Sequence, residues 1–516
     1  MPVRATVRRS FYQDSVMLMG VAVELRALPG VREAAALMGT PANHELLASA
    51  GLATPETKAA GPEDLVLAVD VETDAVGDTA LEAARAFFDE HRRARESTGR
   101  VLPRTLDSAL RQLPDANLAT ISVPGAHAKL EALTALRRGL HVFLFSDNVS
   151  LADEIELKRL AVARQLLCMG PDCGTAYING IGLGFANVVP RGRVGCVAAS
   201  GTGLQAVASI LAALGEGVSH GIGVGGRDLS VEVGGAMTLL ALEALAGDPS
   251  TEAIVVISKP PAPEVLSLIE TAVRAAGKPV VVCALGATAQ PGAPGTWVST
   301  LEDAAEAAVA TVRGSVWTPR TFSDPAAVRA RLDALSAREG SRRGGLLGLF
   351  TGGTLAHEAR LILEPLIGPI AGNVGAPAAG PHRILDLGAD EFTRGRPHPM
   401  IDVSERDARV RAAGASSEVG MILLDLVLGR AAHPDPARSL ASAIRDARAC
   451  AERDGRSLTA IASVVGTERD PQGLAGQVAR LDAAGVVVLP SSAQAARAAG
   501  LALRPELAAT MLGAGR

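Results

Sequence analysis

Residues 191–230 read RGRVGCVAASGTGLQAVASILAALGEGVSHGIGVGGRDLS. The apolar run Val194–Ala199 predicts a buried parallel strand, Ser200-Gly201-Thr202-Gly203 a turn, and Leu204–Leu214 a helix. A helix that opens directly after such a strand leaves backbone N–H groups unpaired at its N-terminus, where the helix dipole adds positive charge. The stretch therefore predicts a phosphate or carboxylate site. A tight strand-to-helix turn with a serine cap is an equally good interpretation.

Composition points to a large α/β protein. The chain has 516 residues, of which 48% are apolar and 20% charged, with 55 glycines, so we expect three or four domains built on buried parallel sheets. Aromatic residues make up 3% and the net charge is −5, which disfavours a nucleic-acid partner. The N-terminus lacks an apolar signal region, and no apolar run reaches 18 residues, so we expect neither secretion nor a membrane partner. Five cysteines without paired spacing predict a reducing, cytoplasmic location and no metal site.

Strand and helix patterns alternate along the chain, which predicts doubly wound parallel sheets. The predicted units are a small N-terminal α/β unit (1–62), a Rossmann-like domain (63–187), a second large domain (188–323), a connector (324–344) and a third large domain (345–516).

The second and third large domains repeat each other. Val194–Ile210 and Leu346–Ile362 share a strand, a small-residue turn and a helix, and Ser200-Gly201-Thr202 aligns with Gly352-Gly353-Thr354. Duplicated domains commonly pack about a pseudo-twofold axis, and ligands of such sheets lie at the carboxyl ends of the strands. We therefore expect both turns to converge on one phosphate. The alternative is the generic register that any two doubly wound domains share.

Several motifs carry a family resemblance. Cys168–Asp172, Arg191–Gln205, Gly221–Asp228 and Glu252–Ile257 resemble the alpha subunit of succinyl-CoA synthetase, and Ser200-Gly201-Thr202 resembles its phosphate-binding turn. With Thr351–Thr354 and Gly395–Asp402, the whole chain resembles the FdrA family. The resemblance implies a CoA-binding-type Rossmann sheet followed by two duplicated flavodoxin-like domains. FdrA proteins are described as acyl-CoA synthetases, and some are subunits of an oxamate carbamoyltransferase in allantoin breakdown.

The chain departs from the synthetase pattern at three places. Residues 286–300, where the resemblance implies a phosphorylated histidine, contain no histidine. Ser258-Lys259 stands where the synthetases have an acidic residue, and residues 72–76, after the predicted strand Leu65–Val71, lack the glycines of a CoA phosphate loop. We therefore expect no required cofactor, weak or no binding of CoA, and phosphate or a carbamoyl or acyl phosphate as substrate.

Four side chains are candidate catalytic groups. His398 and Arg396 lie in a proline-bounded loop and suit an anionic substrate, although a rigid surface turn explains them too. Arg227, with Asp228, predicts a phosphate clamp or, about as well, an internal ion pair. His357 either reaches the phosphate or is a half-buried helix residue. Lys259 fits a solvated turn lysine best.

The predicted site follows from these candidates. The catalytic residues are His398, Arg396, Arg227 and His357. The substrate- or phosphate-binding residues are Ser200, Gly201, Thr202, Gly203, Gly225, Gly226, Asp228, Gly352, Gly353 and Thr354.

Three functions stay open at this point. The first is a subunit of a phosphate-dependent carbamoyltransferase, the second an NDP-forming acyl-CoA synthetase, and the third a non-catalytic scaffold that binds an acyl phosphate or CoA. Each implies a small-molecule substrate and either partner subunits or a homo-oligomer.

Overall fold

The computed structural model describes residues 2–11, 13, 15–97, 103–338, 344–375, 378–393 and 397–512. They form two compact units, the first built from residues 2–114 with 393 and 397, and the second from 115–392 and 398–512. Within these described ranges, no helix combines the length and the hydropathy needed to cross a bilayer.

The first unit is a three-stranded antiparallel sheet with helices. Its elements are β1 (Val3–Arg8), α1 (Ser15–Arg26), β2 (Val31–Met38), α2 (Pro41–Ser49), α3 (Pro55–Lys58), β3 (Leu65–Val71), α4 (Asp74–Ser97) and α5 (Leu106–Gln112). Strand β3 is central and pairs antiparallel with both β1 and β2.

Two sequence-based expectations are corrected by this sheet. The boundary after residue 62 is wrong, because β3 belongs to the first unit and is not the first strand of a Rossmann domain. An apolar run looks the same in the centre of an antiparallel sheet as in a parallel one. Residues 72–76 therefore do not follow a Rossmann strand, and their lack of glycines says nothing about binding of CoA.

The second unit begins with a small Rossmann-like layer of three parallel strands, ordered β4-β5-β6. Its elements are β4 (Leu118–Ile121), α6 (Gly125–Arg137), β5 (His141–Leu144), α7 (Leu151–Ala163) and β6 (Cys168–Met169). The expected Rossmann-like domain is therefore reduced to the part after residue 115.

A seven-stranded sheet follows. Its elements are β7 (Thr175–Ile178), β8 (Ile181–Gly184), β9 (Val194–Ala198), α8 (Gly201–Ala213), β10 (Val218–Gly223), α9 (Ala236–Gly247), β11 (Ala253–Ser258), α10 (Pro263–Ala275), β12 (Val280–Ala284), β13 (Thr296–Trp297), α11 (Leu301–Val312) and α12 (Pro325–Arg338). The hairpin β7–β8 pairs with β10, so this domain begins about a dozen residues before the expected boundary at 188.

A six-stranded parallel sheet completes the unit. Its elements are β14 (Gly345–Phe350), α13 (Gly353–Ile367), β15 (Ile370–Gly372), β16 (His382–Asp386), α14 (Asp390–Thr393), α15 (Ser404–Ala415), β17 (Val419–Val427), α16 (Pro436–Arg453), β18 (Thr459–Val465), α17 (Leu474–Ala483), β19 (Val487–Leu489), α18 (Ser492–Leu503), a short 3-10 helix (Pro505–Leu507) and α19 (Ala508–Met511).

The two larger sheets share one topology. The parallel strands run β10-β9-β11-β12-β13 in one sheet and β16-β14-β17-β18-β19 in the other, where the short strand β15 is added at the edge beside β16. Apart from β15, both series follow the flavodoxin-like order 2-1-3-4-5, whose switch point lies beside the first strand of each domain. The expected α/β fold with duplicated flavodoxin-like domains is confirmed, and each small-residue turn follows the strand at its switch point.

A common core and a buried polar contact join the two flavodoxin-like domains. Leu204 and Leu211 of α8 belong to the same apolar cluster as Leu355 and Leu363 of α13. Between the domains, the Asn187 amide donates to Asp470 (2.8 Å) and to the carbonyl of Leu428 (3.0 Å). The Asp470 carboxylate also accepts the N–H of Val188 at 2.6 Å. These contacts fix how the two turns face each other.

Candidate functional site

The first turn has the geometry of an anion site. Ser200 precedes α8, and its hydroxyl accepts the N–H of Gly203 at 2.9 Å. The N–H groups of Gly201 and Thr202 lie in the first helical turn, so they have no acceptor within their own helix. They point outward at the positive end of the helix dipole.

The second turn is capped by carboxylates of the protein itself. The N–H groups of Thr351 and Gly352 donate to Asp425, at 2.7 and 3.0 Å. Asp386 lies against the next residue, since a Cβ on Gly353 would stand 2.3 Å from its Oδ2. An anionic ligand at this helix end would have to compete with these groups, so the two turns are not equivalent.

The two turns meet directly. The Ser200 hydroxyl lies 2.6 Å from the Thr354 hydroxyl, and a Cβ on Gly352 would stand 2.8 Å from the Thr202 side chain. Two helix N-termini from duplicated domains thus converge at one place, as the repeat predicts. They contact each other hydroxyl to hydroxyl, without a phosphate-sized gap between Ser200 and Thr354.

A narrow cleft lies beside the first turn. Its walls come from the segment after β6, the end of β9 with the turn, and the end of β10. The lining residues are Asp172, Cys173, Gly174, Thr175, Ala198, Ala199, Ser200, Gly201, Gly223, Gly225 and Gly226. Gly225 has a φ of 85°, and a Cβ there would stand 2.5 Å from the carbonyl of Pro171, so glycine is required at this wall.

His398 lies at the second turn. Its Nδ1 accepts the N–H of Met400 at 3.2 Å, so the neutral ring carries its proton on Nε2. A Cβ on Gly388 would stand 2.9 Å from this Nε2 and 3.0 Å from the carbonyl of Thr351. Burial lowers the pKa of His398 to about 4. The imidazole is therefore neutral at physiological pH and offers a hydrogen-bond donor rather than a positive charge.

His357 and Lys259 lie near the same turn. Burial lowers the pKa of His357, and the positive charge of Lys259 lowers it further. The His357 Nε2 is buried and has no hydrogen-bond partner among the described residues. Lys259 is exposed, and its charge also acts on Asp386, whose pKa is raised by burial. Lys259 therefore belongs to this cluster. Arg396, predicted with His398, lies outside the described residues.

Arg227 and Asp228 form an internal ion network, which is the alternative left open by their sequence. Asp228 is fully buried and accepts from Lys158 Nζ (2.8 Å) and from the N–H and hydroxyl of Thr238 (2.9 and 2.7 Å). Arg227 Nε lies 2.8 Å from Glu154 Oε2. Asp228 is thus unavailable to a ligand, and its predicted role in phosphate binding is corrected to a structural one.

Sequence reasoning missed the two acids that cap the second turn. Asp425 interrupts the otherwise apolar strand β17, and Asp386 ends β16. A carboxylate inside a buried strand is costly unless it is hydrogen-bonded, so the pattern LLDLV was an available signal.

Two family descriptions match parts of the chain. Residues 1–102 match the family described as "AllF, heavy metal-associated domain", and residues 349–502 match the family described as "CoA-ligase". The first description implies a metal, for which soft thiolate ligands would be expected. Residues 1–102 contain no cysteine, and the ring Nε2 of His44 lies 3.1 and 3.0 Å from the carbonyls of Gly39 and Ala60. Among the described residues of this range, no group of histidine, cysteine, aspartate or glutamate side chains could hold a metal ion, so they do not fit a heavy-metal site.

We expect the full chain to bind neither Zn²⁺ nor Cu⁺ through its first unit, because that unit offers no thiolate and ties His44 to backbone carbonyls. Calorimetric titration with each ion measures this, with Cys450→Ser as the control for the partly exposed thiol of the second unit. A one-to-one complex that is abolished by a substitution within residues 1–102 would contradict the expectation.

Two other proteins are similar to the chain in sequence or in fold. The chain is 28% identical over 189 residues to the succinate–CoA ligase [ADP-forming] subunit alpha-2 of Trichomonas vaginalis, a match that covers 34% of this chain and 59% of that subunit. The apo acetyl-coenzyme A synthetase 1 (dinucleotide forming) of Ca. Korarchaeum cryptofilum aligns with 78% of this chain and 85% of its own, at 17% identity and a TM-score of 0.31.

One relative spans nearly the whole chain. Over 507 residues the chain is 39% identical to the uncharacterized protein YahF of Escherichia coli (strain K12), which covers 95% of this chain and 97% of that protein. Its residues 349–502 match the CoA-ligase family. The chain as a whole belongs to the family of YahF.

Proposed function

We propose that this chain is a subunit of an FdrA-type enzyme that transfers a carbamoyl group between an oxalurate-like ureido substrate and phosphate. The first turn carries the proposal: the Ser200 hydroxyl caps the start of α8, and the Thr354 hydroxyl of the second turn lies 2.6 Å from it. The N–H groups of Gly201 and Thr202, which have no acceptor within α8, suit a phosphate, and the adjoining cleft reaches Gly201.

In the proposed reaction, a phosphate oxygen attacks the ureido carbonyl carbon. The bond from that carbon to the substituted nitrogen breaks, and this nitrogen takes up the proton of the phosphate to give oxamate and carbamoyl phosphate. The first turn would orient the phosphate, and the neutral His398 would donate a hydrogen bond to the carbonyl oxygen as charge develops. Lys259 would hold the substrate carboxylate.

The second candidate is NDP-forming acyl-CoA synthesis, and the CoA-ligase match over residues 349–502 favours it. Such a ligase needs a phosphoryl carrier, and residues 286–300 contain no histidine. Among the described residues near the turns, His357 and His398 are the histidines, and one of them would have to carry the phosphoryl group. Carbamoyl transfer to phosphate needs no such carrier, which is why we place it first.

The test is an assay of the full chain, alone and with candidate partner subunits. One arm supplies oxalurate and phosphate and follows oxamate; the other supplies a carboxylate, CoA and ATP and follows the acyl-CoA. We expect phosphate-dependent oxamate formation that requires the partner. Acyl-CoA formation without oxamate would establish the second candidate, and inactivity of every combination would leave the scaffold function.

A further inference from the structure

Asp425 is the most completely enclosed acid next to the two turns. It is fully buried in β17, and both of its oxygens are used. Oδ1 accepts the N–H and the hydroxyl of Thr351, at 2.7 and 3.0 Å, and Oδ2 accepts the N–H of Gly352 at 3.0 Å. The carboxylate thus anchors the backbone of the second turn, and it does not line the cleft.

The duplicated domain shows why the second turn needs this acid. In the first domain the Ser200 hydroxyl caps α8. Strand β11 pairs with β9 there, and the residue that follows the Val197–Val256 pair in β11 is the apolar Ile257. In the second domain the cap position is Gly352, which has no side chain. The corresponding pair of strands β14 and β17 is Leu349–Leu424, and the next residue in β17 is Asp425. Asp425 thus occupies the position that Ile257 has in the first domain. An acid from the neighbouring strand thus replaces the missing cap.

We propose that Asp425 is a positioning residue of the shared site. By fixing the backbone of Thr351 and Gly352 it sets the start of α13, so that the Thr354 hydroxyl meets the Ser200 hydroxyl. Asp425 does not touch the substrate. The effect of Asp425 on the reaction rests on the proposed function. Its effect on the geometry of the second turn can be tested without that function.

Protonation of Asp425 gives the proposal a measurable signature. Burial raises the pKa of the Asp425 carboxyl, whereas the N–H and hydroxyl of Thr351 and the charge of Arg406 in α15 lower it. Together these effects raise the pKa to about 6. Arg406 pairs with Asp407, and the neutral Ser463 stands opposite Asp425 in β18. Protonation turns one carboxylate oxygen into an O–H donor and a much weaker acceptor, so one turn contact is weakened as the pH falls through about 6.

The experiment measures the affinity for inorganic phosphate and the rate of transfer from pH 5 to 8, in the full chain with its partner. Asp425→Asn places an amide N–H₂ against a backbone N–H. We expect this variant to weaken phosphate binding by about ten- to a hundredfold. We also expect it to abolish the acid limb, which is the fall in phosphate affinity and transfer rate below about pH 6. Thr351→Val removes one donor from the carboxylate, so we expect it to move the acid limb to higher pH. Ser463→Ala, a buried change in the adjacent strand, is the control and should keep the wild-type profile.

An Asp425→Asn variant with wild-type phosphate affinity and an unchanged acid limb would overturn the proposal. If the wild-type protein binds no phosphate, the proposed function fails, and a crystal structure of Asp425→Asn then decides the positioning role. If the Ser200 and Thr354 hydroxyls of the variant lie beyond hydrogen-bond distance, the positioning role is supported. If their contact is unchanged, the positioning role is rejected. Should Asp425→Asn not fold, the shift in Thr351→Val carries the test.

Discussion

Replacing Gly352 with valine is expected to lower kcat/KM for phosphate by at least about a hundredfold, on the scale seen when reacting groups are displaced by about an ångström. The added Cβ would stand 2.8 Å from both Cβ and Oγ1 of Thr202, and a valine adds two further methyl groups. Thr202 is β-branched and in the first turn of α8, so it cannot turn away easily. The φ of Gly352 is −118°, so its backbone tolerates valine and the effect is steric.

The control for Gly352→Val is Gly476→Val on the exposed face of α17, where an added Cβ meets nothing within 4 Å. Gly201→Val should be milder than Gly352→Val, because its Cβ would stand 3.1 Å from the Thr175 hydroxyl. If both turns serve one site, the double variant should be no worse than Gly352→Val alone. Wild-type kinetics in Gly352→Val would show that the contact between the turns is irrelevant to the reaction.

Replacing Lys158 with methionine is expected to destabilise the second unit by about 3–5 kcal/mol. Lys158 is 1% exposed and donates to Glu154 and Asp228, both at 2.8 Å, and to the carbonyl of Val224 at 2.9 Å. Burial by itself would lower its pKa, but Asp228 and Glu154 raise it above the usual value. Without the ammonium group, the two buried carboxylates lose their shared partner, and Arg227 still pairs with Glu154 at 2.8 Å.

Urea unfolding followed by circular dichroism measures the loss in Lys158→Met. The matched control is Lys129→Met, which removes a lysine that also pairs with two acids, Asp153 at 2.6 Å and Glu156 at 2.7 Å, but at the surface. Because solvent screens such pairs, its unfolding midpoint should change far less. Equal shifts in the two variants would mean that burial of the Lys158 network contributes nothing to stability.

Local patterns in the sequence were sufficient to predict the strand–turn–helix units. The spacing of apolar residues in Val194–Leu214 and its repeat in Leu346–Ile362 predicts two equivalent turns, and both occur at the switch points of 2-1-3-4-5 sheets. These features depend on residues that are close in the chain. Backbone groups left unpaired at a helix start follow from the same short stretch.

Pairings between distant residues could not be predicted in this way. Leu65–Val71 has the composition of a central strand in any sheet, and tertiary pairing with β1 and β2 places it in the first unit. Asp228 follows a glycine-rich stretch that suits a ligand, yet its partner Lys158 lies 70 residues away and decides that the carboxylate is structural.

The sequence by itself determined the fold class, the duplication and the two small-residue turns. Tertiary structure alone decided that the turns touch through Ser200 and Thr354, and that Asp425 and Asp386 cap the second turn. The physical reason is that hydrogen-bond acceptors for exposed N–H groups are supplied by whichever strand packs alongside. That choice depends on sheet register, which no single stretch of this chain encodes.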